Sequence, residues 1–245
     1  ANTYTQSQAD VLLAAKSPIA SPSFTGKVGI GSSSPVRQLE IKDDGTLGQA
    51  IVGIIADAGD AAGIFMGTTS NNNAGGIRYF TDTNKLTLRA NDEDRLLIDS
   101  AGIVTKPYQP AFMALATTAN NLAITTWHTL AFGSERFDNN NDFSSNTFTA
   151  PVTGKYQMNV FIRFHSIDNS GHYYFLSLQT SNNTYYHIHG ANGWSNDPDY
   201  HTIGSSYVVD MDAGDTAMVK FYQASGSAQT DVQGNEGYFS GYLVA

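Results

Sequence analysis

The sequence predicts an all-β protein, and three observations carry that expectation. Gly (23), Tyr (13) and Phe (13) are abundant while charged residues make up only 14%; aromatics pack well on pleated surfaces, and Gly, like Asn, supplies the positive φ of tight turns. Short apolar or alternating runs recur between turn signals along most of the chain, spaced by about 8 to 12 residues in the C-terminal half, as in a β-sandwich. Helical periodicity is confined to one short N-terminal segment. With 245 residues and 41% hydrophobic content, the chain has enough apolar surface for one large domain or two to three small ones.

Composition excludes several classes of function. A net charge of −9 argues against the clustered Lys/Arg surface that binding to a phosphate backbone requires, so no nucleic acid is expected. No run of about 18 apolar residues is present and no basic segment precedes an apolar stretch, so neither membrane insertion nor a signal peptide is expected. Ala1 in the place of an initiator Met points to a fragment or processed product. The absence of Cys removes disulfides and thiolate metal sites, leaving burial and assembly to supply stability.

Taken in order, residues 4 to 16 read as a helix, with Ser7 as cap, Asp10 as its capping-box partner, and Val11, Leu12 and Ala15 on one stripe. About three turns are marginal alone, so the stripe calls for partners, most simply the same helix of other subunits. Pro18, Pro22 and Pro35 punctuate the next stretch of chain. Gly29-x-Gly31 is half of a dinucleotide fingerprint, but Ser34 replaces the third Gly and Pro35 obstructs the helix that should come after it. Strands are expected at Ala50 to Ile55, Gly76 to Phe80, Lys85 to Arg89, Arg95 to Ile98 and Ile103-Val104, with turns at Asp82-Thr83-Asn84, Asn91 to Asp94 and Ser100-Ala101-Gly102. Such a meander has little core of its own, which intertwining with other subunits would repair.

Leu12-Leu13-Ala14-Ala15-Lys16, then Phe24-Thr25-Gly26 followed by Val28-Gly29-Ile30-Gly31 and Ser33-Ser34-Pro35, and then Arg95-Leu96-Leu97-Ile98-Asp99-Ser100-Ala101-Gly102 form a series of short motifs. With them, residues 3 to 106 resemble the stems of phage tail fibres. The likeness implies a trimeric stem, location in the virion outside the cell, and other tail proteins as upstream partners. The expected organisation is a helix and linker over 1–22, a β-meander stem over 23–106 and a head over 107–245.

The head has longer alternating strands, at Thr147 to Val152, Gly154 to Phe161, Ser206 to Met211, Thr216 to Phe221 and Gly237 to Val244, with a turn at Asp212-Ala213-Gly214-Asp215. Phe148 with Ala150-Pro151, Gly154 and Tyr156, the Gly214-Asp215 turn before a strand, and Phe239-Ser240-Gly241 resemble the jelly-roll heads of the complement/tumour-necrosis-factor superfamily. That resemblance implies a homotrimer that binds ligands through loops and grooves without catalysis. The Gly190 to His201 stretch departs from the pattern as an insertion would.

Catalytic motifs are missing: there is no G-x-S-x-G, no H-E-x-x-H and no Walker sequence. Asp210 and Asp212 could be proposed as glycosidase carboxylates, but beside Gly214 they read as turn formers. His187-Ile188-His189 puts two imidazoles on one face of a strand, and threefold symmetry at an axis would gather six nitrogens for an octahedral transition metal. The dipeptide resembles iron-chelating pairs of some fibre tips; a surface or hydrogen-bonded pair is the alternative. Asp138-Asn139-Asn140-Asn141-Asp142 spaces oxygens as a calcium loop does, though Phe143 and Thr149 stand where Gly and Glu belong, which favours an ordinary Asx-rich loop. Trp194 and Tyr200, with Asn192, Asp197 and Asp199, combine flat aromatic faces with hydrogen-bonding groups, as a sugar site requires; alternatively Trp194 packs its loop onto the sandwich. The expected function is attachment of a virion to a host cell-surface glycan or protein. A structural trimerisation cap or, last, a polysaccharide depolymerase are the alternatives.

Overall fold

The computed structural model describes residues 26–30, 33–42, 50–191 and 193–245, and every regular element among them is a strand. The helix expected over residues 4 to 16 lies outside the described residues. The chain divides into two units, one with the residues up to Gly63 and Phe80–Asp82, the other with Ile64–Tyr79 and Thr83–Ala245. In the first, β1 (Val28–Ile30) and β2 (Leu39–Ile41) pair in parallel. The strand expected at Ala50 to Ile55 does not form: residues 50–57 have no regular structure and Ile55 is 93% exposed. That run is continuously apolar rather than alternating, and none of the described strands pairs with it.

The meander consists of β3 (Ala61–Met66), β4 (Gly75–Phe80), β5 (Lys85–Ala90), β6 (Glu93–Ile98) and β7 (Val104–Thr105), hydrogen-bonded in chain order. Its turns derive from residue type. Asn91 and Asp92 both hold positive φ, 51° and 62°, which a two-residue hairpin turn of this kind demands, so β6 starts at Glu93 rather than Arg95. Asp99 Oδ1 accepts the N–H groups of Ala101 and Ile103, each at 2.9 Å, around Gly102 at φ 82°. From Ala61 to Thr105 only Gly76 and Thr87 are buried; within one chain these strands enclose no apolar core.

The head contains β8 (Ala111–Ala116), β9 (Ala119–Leu122), β10 (His128–Thr129), β11 (Phe132–Asp138), β12 (Phe143–Ser144), β13 (Thr147–Thr149), β14 (Gly154–His165), β15 (Tyr173–Thr180), β16 (Thr184–Gly190), β17 (Tyr200–Met211), β18 (Thr216–Gln223), β19 (Thr230–Val232) and β20 (Tyr238–Leu243). One sheet runs β11-β8-β20-β14-β17 and the other β12-β13-β18-β15-β16. Numbering the strands β8, β13, β14, β15, β16, β17, β18 and β20 from first to eighth, the sheet orders are 1-8-3-6 and 2-7-4-5. That interleaving is a jelly roll.

Strand β14 alternates strictly inward, with Tyr156, Met158, Val160, Ile162 and Phe164 all buried. The two sheets meet through aromatic contacts. Phe112 stacks on Phe143 at 4.9 Å and Phe148 at 4.8 Å and meets Phe239 edge-on at 4.9 Å, while Phe164 stacks on Phe221 at 4.4 Å.

At one end of the sandwich the loops are tied by Asp168, which is only 2% exposed. Its Oδ1 accepts the Ser170 hydroxyl at 2.6 Å and the Ser170 N–H at 2.8 Å; its Oδ2 accepts the N–H groups of Ser227 and, at 2.7 Å, Ala228. Burial pushes this carboxyl up, but the Ser170 hydroxyl and the Ala228, Ser170 and Ser227 N–H groups outweigh burial and hold it well below the usual carboxylate range. Tyr174, whose phenol is pushed up to about 12 mainly by burial, donates to the Asp168 carbonyl at 2.6 Å. Gly226 at φ 131° leaves room for the carboxylate, since a Cβ there would stand 2.6 Å from Oδ2.

Asp168→Asn should lower the unfolding free energy by about 3 kcal/mol at neutral pH, read from the urea midpoint, because N–H donors would be left facing an amide NH₂. The sign with pH is fixed by a depressed folded value. The carboxylate's stabilisation is complete above the unfolded value of about 3.9 and is lost as pH falls through the folded one, so the variant should lose part of the acid-induced destabilisation seen in the parent.

Candidate ligand-binding surfaces of the head

The expected aromatic loop occupies residues 191–199, between β16 and β17. Ala191 is buried, its N–H donating to His172 O at 3.2 Å, and Trp194 N–H donates to Ala191 O at 3.1 Å. The indole of Trp194 stacks on His189 at 4.9 Å and meets His201 edge-on at 4.9 Å, with the two imidazoles 4.4 Å apart. Together the three rings clasp the loop to the edge of the sandwich, where Trp194 packs against the core. His187 shares this inner side, because it lies in register with the buried Leu176 as His189 does with the buried Tyr174. Among the described residues no group of three or more His, Asp or Glu is arranged to hold a metal within one chain.

Strand alternation sends Tyr200 to the opposite side of β17 from His201, beside His165 on the outer face. Its ring lies under the Arg163 guanidinium, 4.1 Å away. Tyr200, Asp197 and Asp199 line an open cleft of about 260 Å³ with His165, Ser166 and Pro198. Asp197 Oδ1 accepts the Asn169 N–H at 2.8 Å, and the Asp199 carbonyl accepts the Ser166 N–H at 3.2 Å. Three of the five candidate sugar-binding residues thus come together; Trp194 lies across the strand from them, and Asn192 is outside the described residues.

In the acidic loop at 138–142, Asp138 gives its two oxygens to the N–H groups of Asp142 and Phe143, at 3.0 and 2.9 Å, and Asn141 holds φ 59°. This is Asx-turn bonding. Asp210 is exposed on β17, and Asp212 N–H donates to Asp215 Oδ2 at 2.8 Å within the turn.

Trp127 is a candidate that its own stretch of sequence does not single out. It stands 44% exposed before β10, with ring centres of Tyr222, Phe175 and Tyr186 at 5.0, 5.9 and 6.2 Å. Outward aromatics at alternate positions, Tyr173 and Phe175 on β15 and Tyr186 on β16, were the available signal.

No protein-family model and no curated protein matches the chain. Among solved structures it is similar to the globular domain of zebrafish complement 1qA protein, at 17% identity and a TM-score of 0.43, over 56% of this chain and 98% of that one. It is similar also to murine APRIL at pH 8.0, at 12% identity and a TM-score of 0.40, over 56% of this chain and 99% of that one.

The clasp should be acid-sensitive. Burial first, and then the imidazole of His187 for His189 and of His189 for His201, lowers both from their ordinary value. Groups held lower in the folded state than in the unfolded one, about 6.5, stabilise fully above that pH and less as pH falls through the folded value. The melting temperature should therefore drop as pH goes from 7 to about 5, and less so in a His189→Gln/His201→Gln double variant. At neutral pH Trp194→Ala should cost about 2 kcal/mol in chemical denaturation.

Proposed function

We propose that this chain is the distal part of a trimeric viral tail fibre whose jelly-roll head attaches the virion to a glycan or protein of the host cell surface. The observation that supports it most is apolar surface with no partner in the single chain. Across the outer face of the sheet β11-β8-β20-β14-β17, Leu115, Tyr238, Phe161 and Gly204 lie in one register row. Phe161 is 44% exposed and stacks on Tyr238 at 5.8 Å. A Cβ at Gly204 would come within 2.8 Å of the Phe161 ring, so the glycine lets that ring lie flat on the strand. Val208 and Tyr242 extend the apolar area on the same face. The residues before the head repeat the theme in each unit: Ile51, Val52 and Ile55 are exposed in the first, and Ile64, Phe65 and Met66 are exposed in the second, whose meander lacks a core. Surface of this kind marks an interface, and the resemblance of stem and head to trimeric modules argues for three copies.

Attachment is the role that fits a head offering clefts and no catalytic constellation among its described residues. The Tyr200 cleft, with Asp197 and Asp199 beside an aromatic face, suits a sugar. Upstream tail proteins would hold the stem.

Light scattering should give a mass near three times 26.3 kDa, and a wild-type monomer at micromolar concentration would overturn the reading. Phe161→Asp, burying three like charges together, should weaken the association of the heads and lower the melting temperature of the trimer, read by circular dichroism. Labelled protein should bind cells of a susceptible host, and Tyr200→Ala should weaken that binding by about 1–3 kcal/mol while leaving the trimer intact.

A further inference from the structure

The outer face of the other sheet carries a second site. Three register rows cross β18, β15 and β16 there: Tyr222, Phe175 and Ile188; Lys220, Ser177 and Tyr186; and Met218, Gln179 and Thr184. In the middle row the small residue is Ser177, and although it points outward from the sheet it is 1% exposed, because its longer neighbours rise around it. It forms the floor of an open cleft of about 240 Å³, walled by Trp127, Tyr186, Lys220, Gln179 and Thr184. The loop that carries Trp127 is fastened at both ends. Thr125 N–H donates to Gln223 O at 2.8 Å, and the His128 ring nitrogen bonds Ala123 O at 2.9 Å.

The chemistry of the lining selects a ligand class. Among the described residues, the side chains of Trp127, Gln179, Thr184, Tyr186 and Lys220 make no hydrogen bond or ion pair with the rest of the chain. The walls therefore combine flat aromatic faces with open donors and acceptors. A purely apolar partner would strand those polar groups, whereas a pyranose offers a C–H face to the rings and hydroxyls to the amide and hydroxyl groups. Lys220 adds an unpaired ammonium in a chain of net charge −9, which is complementary to an anionic substituent. The volume falls below the roughly 300–1,000 Å³ of drug-sized sites, so the cleft accommodates one ring of a longer chain.

We propose that this cleft binds a carboxylate-bearing saccharide, with one pyranose stacked on Trp127 and Tyr186, its hydroxyls on Gln179, Thr184 and Ser177, and its carboxylate on Lys220. The assignment deepens the attachment reading above, on which it rests for its biological meaning, and it places this contact on the opposite sheet from the Tyr200 cleft.

The test uses the full chain and intrinsic fluorescence, with trigalacturonate, a mannuronate trimer and sialyllactose as acidic probes and maltotriose and lactose as neutral ones. At least one acidic probe should quench Trp127, binding about tenfold tighter than the neutral sugars at low salt. Trp127→Ala, which lacks the reporting indole, should abolish binding in isothermal titration calorimetry, Lys220→Gln should erase the preference for acidic sugars while neutral binding persists, and Trp194→Phe should leave the quench unchanged. Failure of all three acidic probes, or undiminished binding by Trp127→Ala, overturns the assignment. Cell attachment separates the two readings. A wild type that attaches to cells as well as Trp127→Ala does would remove this site and leave attachment standing; a wild type that binds the acidic sugar yet attaches to no host would do the reverse.

Discussion

The register of β14 is the constraint on which the rest of the head depends. Its twelve residues pair with β17 from Gly154–Met211 to His165–Tyr200, and its other edge takes β20 and then β19. One alternation does two jobs: Tyr156 to Phe164 supply the core at every second position, while Gln157, Asn159, Phe161 and Arg163 furnish the outer face. On that face Gln157 Nε2 donates to Ser206 Oγ at 2.7 Å and Ser206 Oγ to Asn159 Oδ1 at 2.8 Å, a polar row directly beside the Phe161–Tyr238 row. Slipping the strand by one residue would empty the core and destroy both outer rows together. Core packing and the proposed trimer contact are therefore set by the same pairing.

Much of the architecture was legible because it is local. The turns at Asn84, Asn91-Asp92, Gly102 and Gly214 all adopt the positive φ that their residue types favour, and β13, β18 and β20 fall on the expected runs. What the sequence hid was set by long-range pairing. β14 extends past Phe161 to His165, where Ile162 and Phe164 continue its alternation, and β17 begins at Tyr200 rather than Ser206, across a mostly polar stretch, because each offers the other an edge. Ala50 to Ile55 shows the converse: apolar and β-branched content alone does not make a strand where no neighbour pairs with it. Trp194 could be weighed from its loop because its ring partners, His189 and His201, flank it in sequence. The Trp127 cleft could not be assembled that way, since its walls come from β15, β16 and β18, and only the folded sheet brings them beside the indole.

Polar groups in the head fall into two populations, one closed on itself and one open. Around Asp168 hydrogen bonding is closed: the carboxylate, Tyr174, and Gln223, whose amide serves Ser225 O and Ala228 O while accepting from Thr230, satisfy one another in the interior. Such a knot adds rigidity, and losing any member leaves an unmet donor or acceptor. Around Ser177, whose own hydroxyl donates to Lys220 O at 3.5 Å, hydrogen bonding is open, with the side chains of Gln179, Thr184, Tyr186 and Lys220 ordered on a rigid sheet but unengaged within the described chain. Sheet-borne groups of that kind are positioned in advance, so little ordering cost remains when a ligand arrives.

Strand β8 has a mechanical consequence. It opens the head directly after Pro110 and is held on both sides, by β11 and by β20, in antiparallel pairing. Those hydrogen bonds lie perpendicular to the strand. A pull on the preceding chain along β8, against a head held in place, loads both ladders in shear, so that many bonds share the tension instead of parting one after another as they would in a peeled edge strand. In the attachment role proposed above, a virion tugged by flow would strain the surface contact before it unravelled the first strand of the head.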